Sequence, residues 1–138
     1  MGILINAFKV KYILITFLCV AFNTNQAIAQ VKSSRIHFVE TRHNFGKVEQ
    51  GTVLIYGYKF KNTGEDTLVI KNIRASCGCT GVTIGEKKKF ITEEEGEIKV
   101  SFDTNGRSGI QNKTISVQTN DPENPDVLLS FTCEILSK

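Results

Sequence analysis

The chain has 138 residues, with 17 Lys and Arg against 14 Asp and Glu, and a formal net charge of +3. Two of the basic residues, Lys9 and Lys11, lie near the start, and without them 15 basic residues face 14 acidic ones. The remainder is thus close to neutral and has no basic stripe interleaved with aromatic side chains, which argues against a nucleic-acid partner.

The first 29 residues have the pattern of a secretory signal peptide. Lys9 and Lys11 precede an apolar run over residues 12–22, and Ala27-Ile28-Ala29 is an A-x-A-like cleavage site. We therefore predict cleavage between Ala29 and Gln30. The run is shorter than the roughly 20 apolar residues that span a bilayer, so no stable membrane span is expected after cleavage. A retained anchor is the alternative, because residues 3–8 are also apolar.

Residues 30–138 are predicted to form one all-β domain. Apolar and polar residues alternate along short segments that are separated by Gly, Asn, Asp and Pro. The extended segments are residues 36–39, 44–48, 53–61, 67–75, 82–84, 90–92, 97–103, 113–119 and 127–135, of which 82–84 and 90–92 are the weakest. This pattern predicts an immunoglobulin-like antiparallel β-sandwich of about seven or eight strands. A closed barrel is the alternative.

Two connections between these segments have a clear physical basis. Residues 121–126 contain both prolines of the chain, which fix the backbone and predict a rigid connector. Asn105-Gly106 is a strong signal for a reverse turn between two strands.

Five short blocks, taken in order, resemble the bacterial family called domain of unknown function 1573. The blocks are Phe60-x-Asn62-Thr63-Gly64, Leu68-Val69-Ile70, Ser76-Cys77-Gly78-Cys79-Thr80, residues 96–104 and Thr119-Asn120-Asp121-Pro122. The resemblance covers about residues 45–135. It implies an exported bacterial β-sandwich related to the ASH, SPD-2 and hydin group and to major sperm protein, and it implies no activity. Cys133 and the absence of a proline just before Gly96 depart from the family pattern.

The motif turn Ser76-Cys77-Gly78-Cys79-Thr80 is the candidate site. Removal of Cys19 with the signal leaves three cysteines, and Cys133 is in phase with apolar neighbours, which predicts a core position. Three interpretations of Cys77 and Cys79 remain open. In the first, they form a structural disulfide, and Gly78 permits the backbone bend that this requires. In the second, they act as a redox pair. In the third, they bind copper(I) or zinc with a third ligand from Cys133, His37 or His43.

We find no catalytic triad, carboxylate pair or nucleotide motif in the sequence, and no cofactor is expected. The sequence therefore predicts an exported, non-catalytic binding or scaffolding module, in the periplasm, at the cell surface or secreted. Its partner would be a protein or another component of the cell envelope, with ligand and oligomeric state left open. The alternative is a periplasmic thiol-redox or copper- or zinc-handling protein that uses Cys77 and Cys79.

Overall fold

The computed structural model describes residues 31–136, which form nine β-strands. The strands are β1 (Ile36–Phe38), β2 (Arg42–Glu49), β3 (Val53–Asn62), β4 (Leu68–Ala75), β5 (Thr80–Thr83), β6 (Lys89–Phe90), β7 (Glu95–Asp103), β8 (Gly109–Thr119) and β9 (Asp126–Leu136). The signal peptide and the cleavage site between Ala29 and Gln30 lie outside the described residues. Within residues 31–136, no helix is long and apolar enough to cross a membrane.

The strands form two separate sheets that face each other. One sheet has the order β1-β3-β7-β5, and the other has the order β2-β9-β8-β4-β6. The predicted immunoglobulin-like sandwich is therefore confirmed, in place of the closed barrel. It has nine strands rather than seven or eight, because both of the weakest segments form short strands, β5 and β6.

All strand pairs are antiparallel except one. β2 runs parallel to β9, with Arg42 opposite Ser130 and Val48 opposite Ile135. The cause is a change of sheet between β1 and β2: Val39 N–H still donates to Lys59 C=O on β3, whereas Thr41 C=O already accepts from Ser130 N–H on β9. The first part of the domain thereby joins both sheets.

Alternate residues of the longer strands form a single core between the sheets. On β7, Ile98, Val100 and Phe102 are at most 2% exposed, while Lys99 between them faces solvent. Tyr58 on β3 crosses this core and donates its hydroxyl to Ser130 C=O at 2.7 Å, which ties the two sheets together. Burial, helped by the charge of Glu40, raises the pKa of Tyr58 to about 12.

Cys133 belongs to this core, as predicted. Its side chain is 2% exposed, in phase with the buried Phe131 and Ile135 on β9, and it forms no disulfide within residues 31–136. Burial raises the pKa of the Cys133 thiol, although the charge of Lys113 acts in the opposite direction. Cys133 is therefore a small apolar residue rather than a nucleophile.

Gly96 at the start of β7 is required by packing. A Cβ there would lie 2.4 Å from the Phe60 ring and 2.7 Å from the Phe90 ring. These two rings meet edge to face with centroids 4.9 Å apart, so a larger residue would separate them.

Candidate functional site

The Asn-Thr-Gly block after β3 supplies a buried amide that organises one end of the sandwich. This upper end contains the β3–β4 loop, the β8–β9 loop and the segment before β1. Asn62 is 0% exposed, and its oxygen accepts from Arg35 N–H and Gly64 N–H. Its amide nitrogen donates to Asp66 C=O at 2.8 Å and Phe90 C=O at 2.9 Å. Asn62 therefore satisfies four backbone groups from three segments, namely the segment before β1, the β3–β4 loop and β6.

The Thr-Asn-Asp-Pro block after β8 completes the upper end. Asn120 accepts from Ser34 Oγ–H and Val69 N–H, which joins the segment before β1 to β4. Asp121 is 1% exposed and accepts from Ile36 N–H at 2.9 Å and Glu123 N–H at 2.8 Å. Burial alone would raise the pKa of the Asp121 carboxyl, but these hydrogen bonds outweigh it and hold the pKa below its ordinary value.

Two buried threonines also hold loops in place through hydrogen bonds to main-chain groups. Thr104, at the opposite, lower end, donates its hydroxyl to Thr52 C=O at 2.7 Å and accepts from Thr52 N–H at 2.8 Å. Thr119 at the upper end donates to Asn124 C=O and accepts from Asp121 N–H. The buried polar side chains of these motifs thus hold the loops of the fold, and their hydrogen-bonding groups are occupied by partners within the domain.

The cysteine block forms the β4–β5 loop at the lower end. Ser76 N–H donates to Thr114 C=O on β8, and Ser76 Oγ accepts from Thr114 N–H. Thr80, 6% exposed, starts β5, and its N–H donates to Cys77 C=O. Between these anchors the Sγ atoms of Cys77 and Cys79 lie 2.00 Å apart, at bonding distance, and the two Cα atoms lie 5.3 Å apart.

Gly78 is exposed and departs from its predicted role as a hinge. It does not adopt the positive φ that is seen at five other glycines, and a Cβ there would have no atom within 4 Å. The backbone brings the Cα atoms of Cys77 and Cys79 to 5.3 Å without any residue between them in the left-handed conformation. Neither backbone conformation nor space inside the domain requires glycine at this position.

The predicted third ligands do not join the cysteine pair. Within residues 31–136, no three His, Cys, Asp or Glu side chains come together to hold a metal ion. His43 on β2 stacks on Tyr56 with ring centroids 3.6 Å apart. His37 lies on β1 in the other sheet, and Cys133 is buried on β9.

A depression of about 180 Å³ lies between β4 and β5, above the cysteine loop. We call it the β4–β5 groove, and it is lined by Ile70, Lys71, Asn72, Ile73, Val82, Thr83, Ile84 and Lys88. Both neighbouring strands have an open edge here. Within residues 31–136, β4 pairs with β6 only at Leu68 and Val69, Ile70 N–H donates to Lys88 C=O just beyond them, and β5 pairs only with β7. No sequence pattern predicts this groove, because it depends on how far β6 extends along β4.

Fold and loop structure define an immunoglobulin-like β-sandwich with a cysteine loop at one end. The chain belongs to the family described as protein of unknown function DUF1573, whose model matches residues 36–135. No curated protein matches the chain.

Solved structures of low sequence identity share this fold. A Porphyromonas gingivalis W83 protein of unknown function has a TM-score of 0.67 at 14% identity, over 80% of this chain and 51% of that one. The ASH/PapD-like domain 7 of human CEP192 has a TM-score of 0.61 at 8% identity, over 77% and 88%. The Vibrio cholerae VesB protease has a TM-score of 0.57 at 12% identity, over 75% and 31%. The chain thus spans about half of the Porphyromonas protein and under a third of the protease.

Proposed function

We propose that the protein is exported, is cleaved between Ala29 and Gln30, and works in the periplasm or at the cell surface as a non-catalytic binding or scaffolding module. Its partner is a protein of the cell envelope. One observation carries this proposal: the buried polar side chains of the family motifs hold the loops, while long stretches of sheet edge stay open at the surface.

The longer open edges lie on β2, β5 and β4, since the edge strands β1 and β6 have only three and two residues. Among the described residues, β2 pairs only with β9, β5 pairs only with β7, and β4 has no partner on its outer side beyond Ile70, whose N–H donates to Lys88 C=O. Unpaired N–H and C=O groups at a sheet edge are ready to pair with an extended segment of another protein. A binding role therefore follows from main-chain geometry and requires no reactive side chain.

Cross-linking in intact cells, followed by capture of the processed protein from the envelope fraction, tests this function. We expect one or more envelope proteins in stoichiometric amount, and an N-terminus at Gln30 by mass spectrometry. Recovery of no partner over a range of salt concentrations would contradict the binding function. An uncleaved N-terminus would contradict the proposed processing alone.

Thiol–disulfide exchange is a second candidate, favoured by the position of the cysteine loop. Cys77 and Cys79 are only partly buried and Gly78 between them is exposed, so the pair is accessible to a substrate thiol. In such a reaction, the oxidised pair would take two electrons and two protons from a substrate dithiol, which becomes a disulfide.

The reduction potential of the pair decides between the two functions. A value near about −200 mV would favour exchange, whereas a value below about −300 mV is typical of structural disulfides. We expect the lower value, together with no oxidation of a model dithiol peptide by the purified protein.

A further inference from the structure

We propose that the β4–β5 groove binds an extended, acidic segment of a partner protein. This inference rests on the proposed binding function and assigns it a surface and a ligand chemistry. Three independent features of the groove support it: open main-chain groups, apolar side chains in its floor and positive charge without an ion-pair partner.

The open edge of β4 supplies the main-chain groups. Lys71 forms a bulge, because Ile70 pairs with Thr119 and Asn72 already pairs with Gln118. From Asn72 to Ala75 the register against β8 is regular, so alternate residues direct their N–H and C=O groups away from β8. On this side Ile70 N–H still donates to Lys88 C=O, and no strand of the described residues covers β4 beyond Ile70. A short extended peptide can pair here.

Apolar side chains contribute to the floor of the groove, within a lining that is otherwise polar. Ile73, Val82 and Ile84 are only partly buried and pack against the core, so their remaining surface faces the groove. The volume of about 180 Å³ is below the roughly 300–1,000 Å³ of pockets that bind drug-sized molecules. It is therefore suited to a single apolar side chain of a bound peptide rather than to a free small ligand.

The rim of the groove carries positive charge without counter-charges. Lys71 and Lys88 line the groove, and Arg74 is exposed on the adjoining part of β4. Among residues 31–136, none of the three takes part in an ion pair. The same holds for Lys32, Arg42, Lys59, Lys89, Arg107 and Lys113. The distinguishing feature of the groove is therefore that unpaired lysines line an open strand edge.

This charge pattern selects the occupant. An acidic segment would supply the missing counter-charges, and alternate side chains of an extended peptide could place an apolar group on the floor and carboxylates at the rim. A second copy of this chain would bring the same lysines to its own edge, so pairing between copies is disfavoured.

The test uses protein purified after processing in the cell envelope and two synthetic peptides of about nine residues. One peptide alternates valine and glutamate, and the other alternates valine and lysine. By calorimetry, we expect binding of the acidic peptide only, weakened several-fold when NaCl is raised from about 50 to about 500 mM. In the NMR spectrum of ¹⁵N-labelled protein, shifts should concentrate at residues 71–75 and 80–84.

Paired variants localise the charge effect. Lys71→Glu with Lys88→Glu should weaken binding of the acidic peptide at least about tenfold. Lys32→Glu with Lys59→Glu changes the net charge equally at exposed positions away from the groove, and should have less than about a twofold effect. Circular dichroism and urea unfolding confirm that the wild type and both double variants are folded.

Several results would overturn the inference. Equal binding of both peptides, or no binding of the acidic peptide, would overturn it. So would NMR chemical-shift changes located on β2 or on the outer face of β3. An equal loss of peptide affinity in the two double variants would also overturn it. Binding of vesicles that contain phosphatidylglycerol in place of the peptide would indicate a membrane ligand and also overturn it. If an envelope protein is captured equally by wild type and by the Lys71→Glu and Lys88→Glu protein, the binding function stands and the groove assignment fails.

Discussion

Replacement of Asn62 by alanine tests whether the family motifs hold the fold. The side chain is 0% exposed and makes four hydrogen bonds to main-chain groups, with Arg35, Gly64, Asp66 and Phe90. After Asn62→Ala, the groups on the partly exposed Arg35 and Asp66 regain water. Gly64 N–H and Phe90 C=O remain buried and unpaired, at about 1–3 kcal/mol each. We expect a loss of about 3 kcal/mol in the free energy of unfolding.

Urea unfolding followed by circular dichroism measures this loss. The midpoint should fall with an unchanged m-value, and the melting temperature should drop by roughly 10–20 °C. Asn112→Ala, at an exposed position of β8, is the matched control and should change stability by less than about 0.5 kcal/mol. A loss below about 1 kcal/mol for Asn62→Ala would refute the structural role of this motif residue.

Three further predictions concern titratable and thiol groups. The pKa of Asp121 is lower in the folded state than its ordinary value of 3.8. The ionised carboxylate therefore stabilises the fold above pH 3.8, and this stabilisation is lost as the pH falls through the lower, folded pKa. Asp121→Asn should reduce the free energy of unfolding at pH 7 and make it depend less on pH in that acidic range. Cys133 should resist iodoacetamide in the folded protein and react completely in urea, and rapid native alkylation would contradict its core position. The double change Cys77→Ser and Cys79→Ser opens a loop of three residues and should lower the free energy of unfolding by about 1.6 kcal/mol, with the fold retained. Loss of folding would show that the pair does more than close the loop.

The positions of most strands could be predicted from sequence because inward and outward residues alternate regularly. β8 shows where this fails: the predicted strand starts at residue 113, but the observed one starts at Gly109. At this end of the sandwich Ile110 is exposed, while Gln111 lies opposite the buried Cys133. The polarity pattern is inverted there, so the alternation that marks a strand is hidden.

The candidate site was only partly accessible from sequence. The motif Cys77-Gly78-Cys79 could be found, since closely spaced thiols are conspicuous. The roles of Asn62 and Thr104 could not, because polar residues beside turns usually face solvent and only the packed structure buries them. The β4–β5 groove depends on the short β6 and on the bulge at Lys71, which are properties of tertiary pairing.

Site-specific photo-cross-linking in living cells tests the central claim most directly, namely that the protein works by binding at the β4–β5 groove. A photoreactive residue replaces Asn72 or Thr83, which line the groove and are exposed. Matched positions are Asn44 on the β2 edge and Ile55 on the outer face of β3, both exposed. We expect Asn72 and Thr83 to cross-link to the same envelope protein, within a segment that mass spectrometry shows to be rich in Asp and Glu. Cross-links that form mainly from Asn44 or Ile55, or that join a segment without acidic residues, would contradict this account.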